Sequence, residues 1–499
     1  MVGSGREPHL ARTSSAEGEV ELLHGSRFTG FRGVDPSGEA AIVNIDNRWH
    51  VVGVAEEWDA PLDLVSDGVA PVGIDEAGAT YWDILGSDDN HNLVRIAGSD
   101  CRWLAEFCLP ITRVIAVVGQ PVIVVTYAAS PPYQEVTWVV QDNRRHEISG
   151  FSAVGWASDG RLVGMTSPRP WRRAALVGAV TGAREVIGSS RREFSLSSAY
   201  GPVDCLPHEL RNGSAGPFGD CPASGTVHWR HGTFGHTIVS GLCQPLAIHP
   251  FGEKRSTPGR ELRARRRRFA YSGRNINVLE SRSHGHQLVV RLIGGPGTPV
   301  LDAFDPITSG LVDAGATVWT PSLSGYAGFG RAMMTRIWGC WGVHEWGEIR
   351  ELVGHARAEG YERVSIFGHS YGAYLALHCG GMPVDDVVAW GPFASVESLW
   401  EETPSSRLLL ARWGLAASER RSRLADDEGR RLVTCPTLVL IGQSDRETPE
   451  TPSVVGMTED LARNRLSRTV RLPIGHSASR PDEQQLVLGA ILEFWDELG

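Results

Sequence analysis

The second half of the chain repeats a short, largely apolar run that ends in a turn of small or polar residues. Apolar runs of this length, bounded by turn residues, are typical of strands buried on both faces of a sheet. Helix-forming residues follow the turn in some units, as in Ala373–His378. The pattern predicts a mostly parallel, doubly wound α/β sheet in residues 261–499. The runs are Leu288–Ile293, Arg363–Phe367, Val387–Trp390, Pro436–Ile441 and Arg468–Pro473.

One of these turns has the sequence Gly368-His369-Ser370-Tyr371-Gly372. A G-x-S-x-G segment between a strand and a helix is typical of the nucleophile elbow of an α/β-hydrolase. The sharp turn exposes the serine hydroxyl at the top of the sheet, and side chains at the two glycine positions would collide with neighbouring backbone. We therefore expect Ser370 to be a catalytic nucleophile.

Two other strand ends supply the partners that a nucleophilic serine needs. Asp445 follows the apolar run Pro436–Ile441, and His476 follows Arg468–Pro473. Catalytic groups of open α/β sheets lie outside the carboxyl ends of the strands, and this fold orders its triad as serine, acid, histidine. The sequence thus predicts a triad of Ser370, Asp445 and His476.

Other residues near these runs have competing interpretations. Asp385 and Asp386 precede the run Val387–Trp390 and are an alternative source of the acid. His369 is expected to pack rather than to act as the base, because a base must reach the serine from a separate strand end. Core or loop packing is expected for His378, Trp338, Trp341 and Trp346.

An oxyanion hole is expected beside the elbow. The run Leu288–Ile293 breaks into Gly294-Gly295-Pro296-Gly297, where small residues let a backbone N–H approach a developing oxyanion. The N–H of Tyr371, directly after the nucleophile, is the second expected donor.

At this point the chain resembles the prolyl oligopeptidase family of serine peptidases, and within it the acylaminoacyl peptidases. The resemblance covers roughly residues 263–499. It implies that Ser370 is the nucleophile, Asp445 the acid and His476 the base, with backbone donors at Gly295 and Tyr371. The matching segments are Gly294–Pro296 (H-G-G-P), Ser324–Gly330 (R-G-S-x-G-Y-G), Trp341-Gly342 with Glu348 and the helical stretch to Ala358, and Asp445-Arg446 (D-x-R-V).

Ile293 departs from the family, whose H-G-G-P motif begins with histidine. Because that histidine helps to brace the loop, its loss is expected to affect the geometry of the oxyanion hole and, with it, the efficiency of peptide cleavage. The leading hypothesis is a serine hydrolase that cleaves a small peptide or an N-acyl aminoacyl amide. Two alternatives stay open: an esterase or acyltransferase that acts on a small natural-product-like substrate, and a non-catalytic binding protein with a relict hydrolase domain.

The first half of the chain carries a weak repeat of about 40 residues, in which a turn precedes an apolar run. This period indicates β-propeller blades, about five or six over residues 21–260. Residues 1–20 are expected to be a polar tail. The family resemblance also implies a propeller before the hydrolase domain, although relatives usually have seven or eight blades. The turns are Asp35–Gly38, Asp75–Gly78, Gly119–Pro121 and Ser158–Gly160.

Composition argues against several classes of partner and cofactor. The net charge of −10 argues against a nucleic-acid partner, and we expect the basic run Arg263–Arg268 to be a solvated linker. Lys254 is the only lysine, which argues against Schiff-base, pyridoxal-phosphate and P-loop chemistry, so we expect no cofactor. No export signal or membrane span is evident, and the eight cysteines show no framework. These features predict a cytoplasmic protein, and homo-oligomerisation stays open.

One further segment of the chain carries cysteine and histidine residues that suggest a metal site. Its cysteine and histidine spacing fits no zinc pattern well, and we expect ordinary loop residues there. The residues are Cys205, His208, Cys221, His228 and His231.

Overall fold

The computed structural model describes residues 69–186 and 264–499, with short gaps at 76, 86–89, 99, 109–110, 118, 128–134, 158, 167–172, 180, 302–304, 327–328, 330, 430 and 479. Outside these ranges it describes only the backbone of strands between residues 2 and 250. None of the described helices combines the length and the apolar character needed to span a lipid bilayer.

The described strands of the first half form seven antiparallel sheets of three or four strands, in which each strand pairs with the next in the chain. The sheets are β1–β3, β4–β7, β8–β11, β12–β15, β16–β19, β20–β22 and β23–β25. The strands are β1 (Val2–Ser4), β2 (Glu7–Thr13), β3 (Val20–His24), β4 (Phe28–Val34), β5 (Ala40–Ile45), β6 (Arg48–Gly53), β7 (Glu57–Asp59), β8 (Val69–Ile74), β9 (Thr80–Leu85), β10 (His91–Ala97), β11 (Asp100–Phe107), β12 (Ile111–Ile115), β13 (Val122–Tyr127), β14 (Glu135–Gln141), β15 (Arg144–Ile148), β16 (Phe151–Trp156), β17 (Leu162–Thr166), β18 (Arg173–Val177), β19 (Arg184–Val186), β20 (Glu193–Ser195), β21 (His208–Arg211), β22 (Ser214–Pro217), β23 (Thr226–His231), β24 (Phe234–Gly241) and β25 (Gln244–Pro250).

The repeated turns of the sequence have one structural role. Each predicted turn precedes the second strand of a four-stranded sheet, namely β5, β9, β13 or β17. In the β8–β9 turn, the Asp75 carboxylate accepts hydrogen bonds from the N–H groups of Ala77 at 3.0 Å and Ala79 at 2.9 Å. Gly78 completes this turn at a φ of 77°, which L side chains rarely adopt. The 40-residue period therefore reflects one turn in each four-stranded sheet.

The number of sheets differs from the expected five or six. Strands β1 and β2 lie within residues 1–20, where a polar tail was expected; β1 pairs with β2, and β2 pairs with β3. Sheets β20–β22 and β23–β25 have three strands each and lack the turn signature of the repeat. Because these two segments lack that turn signature, the 40-residue pattern did not count them.

Neighbouring sheets in the described part of this half pack through apolar side chains. Phe107, Val114 and Val124 belong to one buried cluster that spans sheets β8–β11 and β12–β15. The Asp83 carboxylate also accepts the N–H of Ile111 at 3.0 Å, which ties the first of these sheets to the start of the second. Burial of apolar area between adjacent sheets is the main source of stability in such an array.

The second half forms one eight-stranded sheet in the order β26-β27-β29-β28-β30-β31-β32-β33, parallel from β29 onward and antiparallel at the first two strands. Its strands are β26 (Arg265–Tyr271), β27 (Arg274–Ser281), β28 (Gln287–Leu292), β29 (Thr317–Ser322), β30 (Arg363–His369), β31 (Asp386–Trp390), β32 (Thr437–Gly442) and β33 (Arg468–Leu472). The described helices are α1 (Pro306–Asp313), α2 (Arg331–Met334), α3 (Glu345–Ala358), α4 (Tyr371–Leu377), α5 (Val396–Glu402), α6 (Arg407–Arg412), α7 (Ser418–Gly429), α8 (Pro452–Leu461) and α9 (Pro481–Leu498), with 3₁₀ turns at Thr335–Ile337 and Pro404–Ser406.

The central strands have the burial that their composition predicts. Consecutive residues of β28, β31 and β32 are inaccessible to solvent, because helices cover both faces of the sheet. This result agrees with the predicted parallel, doubly wound sheet. The buried runs include Leu288–Val290, Val387–Ala389 and Leu438–Leu440.

The basic run is an edge strand, whereas a solvated linker was expected. Arg265 and Arg268 are exposed on β26, while Arg267 pairs with Glu280 at 2.7 Å and its guanidinium lies 4.7 Å from the centre of the Trp319 ring. Charged residues on an edge strand discourage pairing with other chains. The run of arginines hides the strand alternation, so the sequence pattern did not reveal it.

A buried carboxylate closes the amino end of the sheet. Asp386, at the start of β31, accepts hydrogen bonds from Arg363 at 2.9 Å, Ser365 at 2.8 Å and the Trp495 indole at 3.0 Å. It thereby joins β30, β31 and α9, and it is fully buried.

We predict that Asp386→Ala lowers the free energy of unfolding by about 3–5 kcal/mol, because it removes the fully buried carboxylate that pairs with the partly buried Arg363 and accepts hydrogen bonds from Ser365 and the Trp495 indole. Denaturant unfolding of the two proteins measures the difference. An unchanged midpoint would contradict a stabilising role for this cluster.

Candidate active site

Ser370 occupies the sharp turn between β30 and α4. Its φ of 55° and ψ of −120° are rare for a residue with a side chain, and backbone strain of this kind clusters at functional sites. A Cβ at position 368 would lie 2.0 Å from the carbonyl oxygen of Gly372, and one at position 372 would lie 2.2 Å from that of Leu292. The expected need for glycine at both positions is therefore confirmed.

The three residues predicted as a triad meet at the carboxyl end of the sheet. His476 Nε2 lies 2.9 Å from Ser370 Oγ, and His476 Nδ1 lies 2.9 Å from Asp445 Oδ2. Ser370 follows β30, Asp445 follows β32, and His476 lies four residues beyond the end of β33. These contacts form a continuous relay from carboxylate to imidazole to hydroxyl.

The Asp445 carboxylate is held by the turn that follows it. Its Oδ1 accepts the N–H groups of Glu447 and Thr448, each at 2.9 Å. The Thr448 hydroxyl lies 3.0 Å from Asp445 Oδ2, 2.9 Å from the Gly391 carbonyl and 3.2 Å from His476 Nδ1. Thr448 stands where the family's D-x-R-V motif has valine, and its hydroxyl adds a polar contact that valine lacks.

Electrostatics in the relay favour the ionised acid and a basic imidazole. Burial acts to raise the pKa of Asp445, but the hydrogen bond and charge of His476 together with the hydrogen bonds from Thr448 lower this pKa overall. Burial likewise acts to lower the pKa of His476, and the hydrogen bond and charge of Asp445, then the charge of Glu447, raise it overall. A carboxylate in this position is placed to stabilise a positive charge on the His476 ring.

His369, the last residue of β30, supports the loop that carries His476. Its Nε2 lies 2.8 Å from the His476 carbonyl oxygen, and its ring packs 4.2 Å from the Trp390 ring. Burial lowers its pKa to about 4, so the ring is neutral near pH 7 and donates from Nε2 to that carbonyl. The expected packing role is confirmed, with a hydrogen bond that sequence reasoning did not foresee.

The glycine loop predicted to form the oxyanion hole lies over Ser370. A Cβ at Gly294 would approach the Ser370 Cβ to 3.4 Å, so the loop passes close above the nucleophile. As the first residue of α4, Tyr371 has an N–H without an acceptor inside its own helix. The loop that carries Gly295 and the N–H of Tyr371 therefore flank the serine from two sides.

A tyrosine braces the loop where the family has histidine. The hydroxyl of the fully buried Tyr326 donates to the Ile293 carbonyl at 2.8 Å. The N–H of Gly297 also donates to the Gly325 carbonyl at 2.8 Å, so both ends of the loop are tied to the Ser324–Tyr326 segment. The loop is thus held by groups other than the side chain at position 293.

The alternative candidates lie away from the serine or in the core. Asp385 and Asp386 are at the amino end of β31, opposite the edge that carries Ser370, so neither is placed to serve as the acid. His378 is buried and bonded to the Tyr374 carbonyl at 2.8 Å, as expected. Trp341 and Trp346 are buried core residues, while Trp338 is 43% exposed.

No group of three metal-ligating side chains occurs among the residues whose side chains are described. The cysteine and histidine side chains weighed earlier as a metal site, between Cys205 and His231, lie outside those residues.

Three residues near the relay were not identified from the sequence. They are Thr448, Glu447, whose carboxylate lies 3.5 Å from His476 Nε2, and Glu345, whose carboxylate accepts the Tyr371 hydroxyl. Among these three residues, only Thr448 had a signal in the sequence: its spacing from Asp445 is typical of a turn in which an aspartate side chain accepts backbone N–H groups.

The comparisons with known proteins agree with this geometry. Residues 303–498 match the model of the prolyl oligopeptidase family. No curated protein sequence matches the chain. The predicted family is thus confirmed for the domain at residues 303–498, and with it the prediction of an enzyme of the serine hydrolase class.

Solved structures of similar fold cover nearly the whole chain. A puromycin hydrolase structure has a TM-score of 0.77 at 17% identity, over 98% of this chain and 91% of its own. A Pyrococcus horikoshii acylaminoacyl peptidase has 0.72 at 13%, over 97% and 90%. A prolyl endopeptidase structure has 0.75 at 12%, over 98% and 86%. The predicted fold, a propeller followed by an α/β-hydrolase domain, is confirmed.

We predict that Glu447→Gln shifts the acid limb of the pH–activity profile to lower pH. The Glu447 charge helps to raise the pKa of His476, and activity requires the neutral imidazole, so removing the charge keeps the base neutral at lower pH. The profile of kcat/KM measures the shift. Glu450→Gln is the control, because that carboxylate pairs with Arg471. A shift to higher pH would contradict the assignment.

We predict that Tyr326→Phe lowers kcat roughly 10- to 100-fold, because a displaced oxyanion donor loses part of the 10²–10³ that such a donor contributes.

Ile293→His should leave kcat unchanged or lower it, since the loop is already braced and the added ring must be accommodated at a half-buried position. A clear gain in amide cleavage by Ile293→His would show instead that the bracing is inadequate.

Proposed function

Because residues 303–498 are a prolyl oligopeptidase family domain, we propose that this chain is a serine peptidase in which Ser370 is the nucleophile, His476 the base and Asp445 the acid. The observation that carries the proposal is the pair of 2.9 Å contacts that link the three side chains. Nucleophile, base and orienting acid within hydrogen-bond reach are the signature of covalent acyl transfer.

The reaction follows from these positions. Ser370 Oγ attacks the carbonyl carbon while its proton passes to His476 Nε2, and Asp445 stabilises the imidazolium. The N–H groups of Gly295 and Tyr371 donate to the oxyanion that develops on the carbonyl oxygen. The C–N bond then breaks as His476 gives its proton to the leaving amine. A water molecule, deprotonated by the same imidazole, attacks the acyl-enzyme and releases the acid.

The proposed substrate is a small peptide or an N-acyl aminoacyl amide. Two structures of similar fold are named as a puromycin hydrolase and an acylaminoacyl peptidase, and a further structure of the latter kind holds the chloromethyl ketone Z-Gly-Gly-Phe. A propeller in front of the hydrolase domain would limit access to small substrates. Residues 261–499 are the proposed catalytic domain, beginning just before β26.

The other hypotheses have less support. The same triad would serve an esterase or an acyltransferase, and the departure at Ile293 is one reason to consider a relict domain. The hydrogen bond from Tyr326 to the Ile293 carbonyl gives that loop a brace of its own, which weakens the reason. The intact relay at Ser370 also argues against a purely binding function. The cytoplasmic location stays a prediction.

A panel of chromogenic amides tests the proposal. We expect aminoacyl, N-acetyl-aminoacyl or prolyl amides to be cleaved, and Ser370→Ala to lose on the order of 10⁶ in turnover, since the triad acts as a unit. The variant should unfold at the same denaturant concentration as the parent. Cleavage of simple esters alone, formation of an amide with an added amine in place of the free acid, or undiminished turnover by Ser370→Ala would each contradict the proposal.

A further inference from the structure

One of the buried carboxylates outside the relay contacts the residue that follows the nucleophile. Glu345 is the first residue of α3 and is inaccessible to solvent. One of its oxygens accepts a hydrogen bond from the Tyr371 hydroxyl. Burial raises the pKa of Glu345 to about 7, although the Tyr371 hydroxyl and the N–H groups of the turn that begins α3 act to lower it. Burying an ionisable group away from water costs free energy unless hydrogen bonds compensate for the lost solvation.

Tyr371 connects this carboxylate to the reacting atoms. It follows the nucleophile directly, and its N–H is one of the two proposed oxyanion donors. Its side chain points away from solvent, with 1% of its surface exposed, and packs edge-on against Trp341 at 5.0 Å. The hydroxyl at the end of that buried side chain needs a partner, and Glu345 supplies it. Burial and the Glu345 charge raise the pKa of Tyr371 well above its ordinary value, so the hydroxyl stays a donor.

The two sides of the oxyanion hole are thus anchored in the same way. The glycine loop is held through the Tyr326 hydroxyl on the Ile293 carbonyl, and the N–H of Tyr371 is held through its own hydroxyl on Glu345. Both tyrosines are buried, so each anchor lies away from solvent competition. Preorganised donors contribute most when nothing must move during the reaction.

We infer that Glu345 is a positioning residue of the acyl-transfer site: its carboxyl group holds the Tyr371 side chain so that the Tyr371 N–H points at the developing oxyanion. This inference rests on the proposed function, because it assigns a purpose to the donor which that function requires. Glu345 contacts no reacting atom and acts only through Tyr371. Its removal should therefore lower kcat with little change in KM, since the oxyanion exists only in the transition state.

The test compares Glu345→Ala, Glu345→Gln, Tyr371→Phe and the double variant Glu345→Ala/Tyr371→Phe. The measurements are kcat and KM on the best amide of the panel, the rate of labelling by a fluorophosphonate, and the unfolding midpoint. Glutamine keeps an oxygen that accepts the Tyr371 hydroxyl, so it should restore most of the activity. Asp386→Ala is the matched control, because it removes a buried carboxylate from the opposite edge of the same sheet.

We expect Glu345→Ala and Tyr371→Phe each to lower kcat and the labelling rate by roughly 10- to 100-fold, part of the 10²–10³ lost with an entire oxyanion donor. The double variant should be no worse than the poorer single variant, because both remove the same contact. Asp386→Ala should lower stability while its folded fraction keeps the parental kcat.

Three results would overturn the inference. They are parental kcat in Glu345→Ala, activity of Glu345→Gln as low as that of Glu345→Ala, and losses that multiply in the double variant. If the parent protein itself is neither labelled by fluorophosphonate nor active on any amide, the proposed function fails instead.

Discussion

The close approach of helix α4 to the end of strand β28 is the constraint on which the site depends. Gly372 passes so near the Leu292 and Ile293 carbonyls that no side chain fits there. This contact forces Ser370 into its unusual backbone conformation and brings the glycine loop above its hydroxyl. A larger residue at Gly372 would push the helix away and open the distance between nucleophile and oxyanion donors. Nucleophile and hole are thus products of a single packing contact.

The parallel sheet then brings distant residues to that contact. Ser370 and His476 are separated by 106 positions, yet the strands that precede them, β30 and β33, belong to one parallel sheet with their carboxyl ends at a common edge. Neighbouring residues hold the relay in position: His369 donates a hydrogen bond to the His476 carbonyl, and the Thr448 hydroxyl contacts the Asp445 carboxylate. A triad therefore needs a fixed loop geometry as much as it needs three reactive side chains.

Loss of the family histidine shows how such a geometry tolerates substitution. The resemblance implies that the family's histidine helps to brace this loop, whereas here the Tyr326 hydroxyl donates to the Ile293 backbone carbonyl. The resemblance that revealed the family could not reveal this compensation, because the hydroxyl and the carbonyl are 33 residues apart in the chain. The effect of a substitution in a motif is better judged from the contacts that hold the loop in the structure than from the identity of the substituted residue alone.

The sequence by itself determined the fold of the second half and the three residues of the relay, because the elbow spacing and the apolar runs follow from local backbone geometry. It did not reveal that the run of four arginines belongs to strand β26, that β1–β3 form a sheet, or which contacts Glu345 and Thr448 make. Those features depend on which surfaces meet after folding. Burial of Glu345 beside Tyr371 is set by where helix α3 packs against the elbow, and no spacing in the chain encodes that. Local pattern fixed the strands and turns, and tertiary packing decided which polar groups became partners.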